Sequence, residues 1–141
     1  MAYLCLACNE IYTEKMDHCP KASCGYDEVV EVDELMLPII MELNEKGYAT
    51  DSCCSGHFYD KYNAPYIMFS DFVFENLDNE ELEELFGNLP EPWYIDEAAF
   101  QGGYFCIRAR MLDGMDRTEM HKYIVNLNVA LLEFVDTLPC M

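Results

Sequence analysis

The apolar residues near the end of the chain recur at the spacing of a helix. One stripe over 116–138 contains Met120, Ile124, Leu127, Leu131, Phe134 and Val135. A repeat of three to four residues predicts an amphipathic helix, which we expect to begin at Asp116 or Thr118 and to end before Pro139. Shorter stripes predict two further helices, over 38–46 and over 78–86.

Alternation of apolar and polar residues predicts strands in the middle of the chain. Between 104 and 111 apolar side chains alternate with Cys106, Arg108 and Arg110. This period of two indicates a strand with one buried face. Further strands are predicted over 48–54, 66–69 and 93–95. The order of elements predicts an α+β domain over 31–141, in which a small, mostly antiparallel sheet is covered by helices.

Length and charge narrow the class of protein. The chain has 141 residues, and 52% of them are apolar, which is enough for one hydrophobic core. There are 27 acidic residues against 8 Lys and Arg, a formal net charge of −19. Because binding to a phosphate backbone depends on cationic side chains, we expect no nucleic-acid partner, and a basic protein partner fits the charge better. The uncharged runs are too short for a membrane span.

Four of the eight cysteines form two pairs near the amino terminus. Cys5 and Cys8 are separated by two residues, Cys19 and Cys24 by four, and the pairs lie ten residues apart. The first residues lack the features of an export signal, so we expect a cytoplasmic location, where metal binding is a more common use of cysteines than disulfides. Two such pairs resemble a zinc ribbon or a rubredoxin-like knuckle pair, and predict one structural zinc in a head over residues 1–30. His18 is an alternative ligand.

The second unusual segment is the Cys-Cys-Ser-Gly-His run after the strand at 48–54. Ser52, Ser55 and Gly56 expose main-chain N–H groups that are suited to an anion, which predicts a small-ligand site. Cys54 and His57 are a candidate nucleophile and base, because a nearby imidazole helps to form a thiolate. The alternative is a purely structural turn.

This run resembles the signature of the wybutosine-synthesis methyltransferase family, which modifies tRNA. In that family an Asn at a helix end precedes a strand that reads roughly Thr-Thr-Ser-Ser-Cys-Ser-Gly-Arg. The resemblance covers about fifteen residues and implies a related helix-strand-loop unit more than the same reaction. Here a His replaces the final Arg, which removes a fixed cation. The matching residues are Thr50, Ser52, Cys54, Ser55 and Gly56, and the differing ones are Asp51, Cys53 and His57.

Arg108 and Arg110 follow a long region, 62–107, that has ten acidic residues and no Lys or Arg. On one strand face they are candidates to clamp an anionic ligand; the alternative is a pair of cross-strand ion pairs. The leading interpretation is therefore a zinc-containing protein that binds a small anionic ligand or acts in regulation. The alternatives are an enzyme, either a distant methyltransferase relative or a thiol-dependent transferase that uses Cys54, and an acidic interaction module.

Overall fold

A computed structural model of the chain describes residues 2–5, 8, 10–16, 18–21, 29–56 and 64–140, except for the side chain of Asn76. Within these residues the fold is α+β, as predicted, with two antiparallel sheets and five helices. None of these helices has the length and the apolar character that crossing a membrane requires.

The amino-terminal sheet has three strands in the order β2-β1-β3. They are β1 Ala2–Cys5, β2 Ile11–Tyr12 and β3 Val29–Val32. No strand was predicted over 29–32. The strand forms because Val32, together with Leu4 on β1, is buried in the main core. This sheet carries the cysteine cluster and is consistent with a zinc-ribbon-like head.

The second sheet has four strands in the order β4-β5-β7-β6, and each pair is antiparallel. Ile67, Ile107 and Ile95 lie in register on its core face. Tyr66, Arg108 and Tyr94 are in register on the opposite face. The strands are β4 Thr50–Cys54, β5 Tyr66–Phe69, β6 Trp93–Ile95 and β7 Cys106–Ala109.

The helices cover the core face of this sheet. The predicted helices are α1 Leu37–Glu45, α3 Asn79–Phe86 and α5 Arg117–Thr137, and two short ones were not predicted, α2 Val73–Asn76 and α4 Glu97–Gln101. Asp78 and Asp116 cap α3 and α5, each in a reciprocal capping box with the glutamate three residues later. The second cap settles where α5 begins.

Helix α1 is joined to the end of α5 by polar contacts. Lys46, just after α1, donates hydrogen bonds to the carbonyls of Val135, Asp136 and Leu138 at 2.7–3.0 Å. The buried Tyr48 donates its hydroxyl proton to the carbonyl of Pro139 at 2.7 Å. These bonds fasten the segment at the end of α5 to α1, at a helix terminus where the last carbonyls lack the N–H groups of a further turn.

Candidate functional site

Three cysteines of the amino-terminal sheet converge. Cys5 ends β1, Cys8 lies in the turn to β2, and Cys19 lies in the segment after β2. The main-chain N–H of Cys5 donates to the carbonyl of Glu10 at 3.1 Å, which closes the hairpin beneath the turn. The three Sγ atoms all lie within 4.8 Å of one another, which makes them a candidate metal-binding group.

The spacing of these sulfurs fits a tetrahedral ion. Sγ of Cys8 and Sγ of Cys19 are 3.8 Å apart. Two sulfurs bound at about 2.3 Å to a tetrahedral zinc are separated by about 3.8 Å. Cys5 and Cys19 are buried, and no disulfide links any of the seven described cysteines. The cluster is thus a set of thiols at ligand spacing.

A tyrosine hydroxyl supports one of the three thiols. Oη of Tyr12, on β2, is 3.3 Å from Sγ of Cys19, and the phenol is the better donor of the two groups. This hydrogen bond is the main reason that the pKa of Cys19 falls from 9.0 to about 7. The same contact raises the pKa of Tyr12. The hydroxyl therefore favours the thiolate form, which is the form that binds a metal.

The fourth predicted ligand, Cys24, lies outside the described residues. His18, the alternative ligand, is exposed and does not belong to the group of converging ligand atoms. A nearby ion pair joins Lys21 and Glu10 at 3.4 Å, although both side chains are about half exposed. The structure therefore brings together three of the four cysteines that the spacing predicts.

The turn after β4 binds an anion that belongs to the chain itself. The main-chain N–H and the hydroxyl of Ser55 both donate to Oδ2 of Asp33, at 3.1 and 2.8 Å. Gly56, at a positive φ of 92°, donates its N–H to Sγ of Cys54 at 3.4 Å. Ser52 is exposed on β4 and does not take part in this contact. An external ligand at Ser55 would have to replace the Asp33 carboxylate, so the ligand site proposed for this turn stays a prediction.

The two thiols of the same turn are disfavoured as thiolates. Burial is the main cause that raises the pKa of Cys53 to about 12 and that raises the pKa of Cys54. Because the thiolate is the nucleophile, these shifts reduce the reactive fraction near neutral pH. His57, the predicted base, lies outside the described residues. Catalysis by Cys54 and His57 therefore stays a prediction, and the methyltransferase resemblance with it.

The two predicted arginines point to separate acidic partners. Nε of Arg108 is 2.6 Å from Oδ2 of Asp96, and its guanidinium lies 5.3 Å from the ring centroid of Tyr66. Arg110 is 3.5 Å from Glu91, with both side chains largely exposed, and it stacks on a tyrosine of β6 at 4.9 Å. The ion pairs that the sequence analysis weighed as an alternative are thus present. Arg110 also lines an open cavity of about 410 Å³.

Sequence reasoning missed Tyr12 and Asp33. Asp33 is one of 27 acidic residues, and its contact with Ser55 spans 22 positions. Tyr12 stands seven positions before Cys19, and that separation alone does not predict a contact. A tyrosine in a short segment rich in cysteine was the one available signal.

Comparison with known proteins found no family model, no curated protein and no solved structure that matches this chain. The roles assigned to these residues follow from their own chemistry and geometry.

Proposed function

We propose that this chain is a zinc-containing binding protein in which one structural zinc stabilises the amino-terminal sheet. Cys5, Cys8 and Cys19 are three of the ligands, and Cys24 is the fourth. The observation that supports this proposal is the convergence of three Sγ atoms within 4.8 Å. A cytoplasmic location, where thiols stay reduced, belongs to the same proposal.

The chemistry of the ligand set favours zinc in a structural role. Four thiolates fill a tetrahedral coordination sphere and leave no position for a water nucleophile. The sheet that carries them has short strands, of which β2 has two residues. Leu4 and Val32 hold β1 and β3 in the main core, whereas Ile11 of β2 is exposed. Metal binding would therefore supply free energy of folding to the part of the sheet that the core does not hold.

Metal analysis with matched cysteine variants tests the proposal. We expect about one zinc per chain in protein purified under reducing conditions. Cobalt bound in place of zinc reports thiolate ligands by its absorption spectrum. Cys19→Ser and Cys24→Ser should lose most of the metal, whereas Cys140→Ser, at an exposed position near the carboxyl end, should retain it. Full metal content in Cys19→Ser would contradict the assignment. Loss of metal in His18→Ala but not in Cys24→Ser would show that His18, and not Cys24, is the fourth ligand.

A second candidate function is binding of a small anion at Arg110. The observation that favours it is the cavity of about 410 Å³ beside this arginine, whose contact with Glu91 is long and exposed. Glu91 and Glu97 also line the cavity, so a bound anion would compete with their carboxylates for Arg110. Inorganic phosphate titrated against isotope-labelled protein should shift amide resonances around the cavity in a saturable way. Arg110→Gln should abolish these shifts, and Arg117→Gln, an exposed arginine at the start of α5, should preserve them. Equal shifts in both variants would exclude this site.

A further inference from the structure

The outer edge of strand β6 directs main-chain groups away from its sheet. β6 ends the order β4-β5-β7-β6, so among the described strands only β7 pairs with it. The N–H of Asp96 donates to the carbonyl of Cys106. The N–H of Arg110 donates to the carbonyl of Pro92. Because main-chain groups alternate along an antiparallel pair, the even-numbered residues of β6 face β7, and the N–H and carbonyl of Ile95 face outward.

The outward groups of Ile95 differ from those of Trp93, the other outward residue of β6. The N–H of Trp93 donates to the carbonyl of Pro90 at 2.8 Å, so the preceding turn covers that end of the edge. Among the described residues no hydrogen bond reaches the N–H or the carbonyl of Ile95. One donor and one acceptor of a single residue therefore lie side by side at this edge.

Ile95 lines the cavity of about 410 Å³ beside Arg110. Phe86, Leu89 and Trp93 contribute apolar side chains to the same cavity. Sites for small molecules have volumes of about 300–1,000 Å³, with apolar walls and a few polar groups that fix the orientation of the ligand. The cavity therefore suits a small molecule that has an apolar body as well as charged groups.

Charged groups of both signs line this cavity at different places along β6. The guanidinium of Arg110 stacks on the ring of Tyr94 at 4.9 Å, on the N–H side of Ile95. Glu97 begins α4 and follows on the carbonyl side. Glu91 also lines the cavity, but its contact with Arg110 is exposed and 3.5 Å long. Because a guanidinium has five N–H donors, Arg110 can bind a second carboxylate.

A free α-amino acid carries the complementary groups in the same order. Its carboxylate can accept from the N–H of Ile95 and from Arg110, and its ammonium can donate to the carbonyl of Ile95 and to Glu97. The two bonds to Ile95 are those that the opposite residue of an antiparallel strand would form. We propose that the cavity binds the zwitterion of an α-amino acid with an apolar side chain. This inference rests on the anion site proposed at Arg110, and adds an ammonium that balances the carboxylates of the cavity.

The same pairing determines where the side chain of the amino acid lies. Side chains of directly opposed residues lie on one face of a sheet, and that of Ile95 lies on the core face. The side chain of an L-amino acid therefore lies on the side of Phe86 and Leu89, which line the cavity. A D-amino acid held by the same main-chain bonds would place its side chain on the opposite face, beside Tyr94.

Titration of isotope-labelled wild-type protein with L-leucine, followed by its amide resonances, tests the proposal. The shifts should be saturable and should include the amide of Ile95. N-acetyl-L-leucine lacks the ammonium and L-leucinamide lacks the carboxylate, and each should bind at least about tenfold more weakly, since each leaves a charged group without its partner. D-leucine should also bind more weakly, because its side chain loses the apolar wall. Equal binding of any of these three compounds and L-leucine would overturn the proposal.

Matched variants and inorganic phosphate separate this proposal from the anion site on which it rests. Arg110→Gln and Glu97→Gln should each weaken the binding of L-leucine at least about tenfold, whereas Arg117→Gln and Glu133→Gln, at exposed positions on α5, should leave it unchanged. Unchanged binding in Glu97→Gln would overturn the proposal. Saturable shifts with phosphate but none with L-leucine would overturn it too and leave the anion site standing. Saturable shifts with L-leucine but none with phosphate would support the amino-acid site and exclude a site for a bare anion.

Discussion

The hydroxyl of Tyr12 offers a specific test of the metal centre, because a single oxygen atom can be removed without touching any ligand. Tyr12→Phe keeps the ring on β2 and deletes the hydrogen bond of 3.3 Å to Sγ of Cys19. That bond is the largest cause of the lowered pKa of Cys19, about 7 against an ordinary 9.0. Without this hydrogen bond the thiol holds its proton more tightly, so displacing the proton takes more of the free energy of metal binding.

The expected change in zinc affinity follows from the hydrogen bond between Tyr12 and a metal ligand, Cys19. Loss of one hydrogen bond to a metal ligand lowers metal affinity by about 10-fold to 100-fold. This range corresponds to about 1.4–2.7 kcal/mol of binding free energy. We expect Tyr12→Phe to fall within it, and to retain a full complement of metal when zinc is in excess, because the ligands are unchanged.

Competition with a chromophoric chelator measures this change in zinc affinity. Tyr3→Phe is the matched control, because Tyr3 is the cross-strand neighbour of Tyr12 and its substitution removes a hydroxyl from the same sheet. The control should keep the affinity of the wild-type protein. Equal zinc affinities of Tyr12→Phe and the wild-type protein would refute the role assigned to this hydrogen bond.

Two further predictions concern stability. Lys46→Met removes three hydrogen bonds to carbonyls at the end of α5, and should lower the free energy of unfolding in urea by about 2 kcal/mol, whereas the exposed Lys122→Met should change it little. A loss no larger than that of Lys122→Met would contradict this role of Lys46. Asp96→Asn keeps the side-chain oxygen that caps α4 but removes the charge that pairs with Arg108, at a cost of about 1 kcal/mol for a partly exposed pair. Because the hydrogen bond from Arg108 lowers the pKa of Asp96 in the folded state, this stabilisation is present above the unfolded pKa of about 3.9 and is lost as the pH falls through the folded value. The difference in unfolding free energy between wild type and Asp96→Asn should therefore be constant above about pH 5 and shrink below about pH 4, and a difference independent of pH would contradict the ion pair.

The elements with a strong periodic pattern and the short strands β5 and β6 were predicted from the sequence, whereas the short helices α2 and α4 and strand β3 were not. Helix α5, of 21 residues, was predicted over nearly its full length, because its apolar stripe runs from Met120 to Val135 and Asp116 provides a cap. Helix α4 has five residues, too few for a pattern to repeat, and its capping residue Asp96 is also the partner of Arg108. Strand β3 was missed because its burial depends on contacts with β1, which are distant in sequence.

The candidate site was likewise predictable only in part. The cysteine spacing predicted the metal-binding group, because ligands on tight turns must lie close in sequence to reach one ion. Two contacts join separate segments of the chain. Tyr12 supports the metal-binding group through Cys19, and Asp33 occupies the hydrogen-bond donors of Ser55 in the turn after β4. Neither contact follows from residue type, since tyrosine and aspartate occur in many other roles.

X-ray absorption at the zinc edge, on protein purified without added metal, identifies both the bound ion and the atoms that coordinate it. We expect about one zinc per chain, with four sulfur neighbours at about 2.3 Å and no nitrogen or oxygen neighbour. Zinc well below one per chain, or a first shell that contains nitrogen or oxygen, would contradict a site formed by Cys5, Cys8, Cys19 and Cys24.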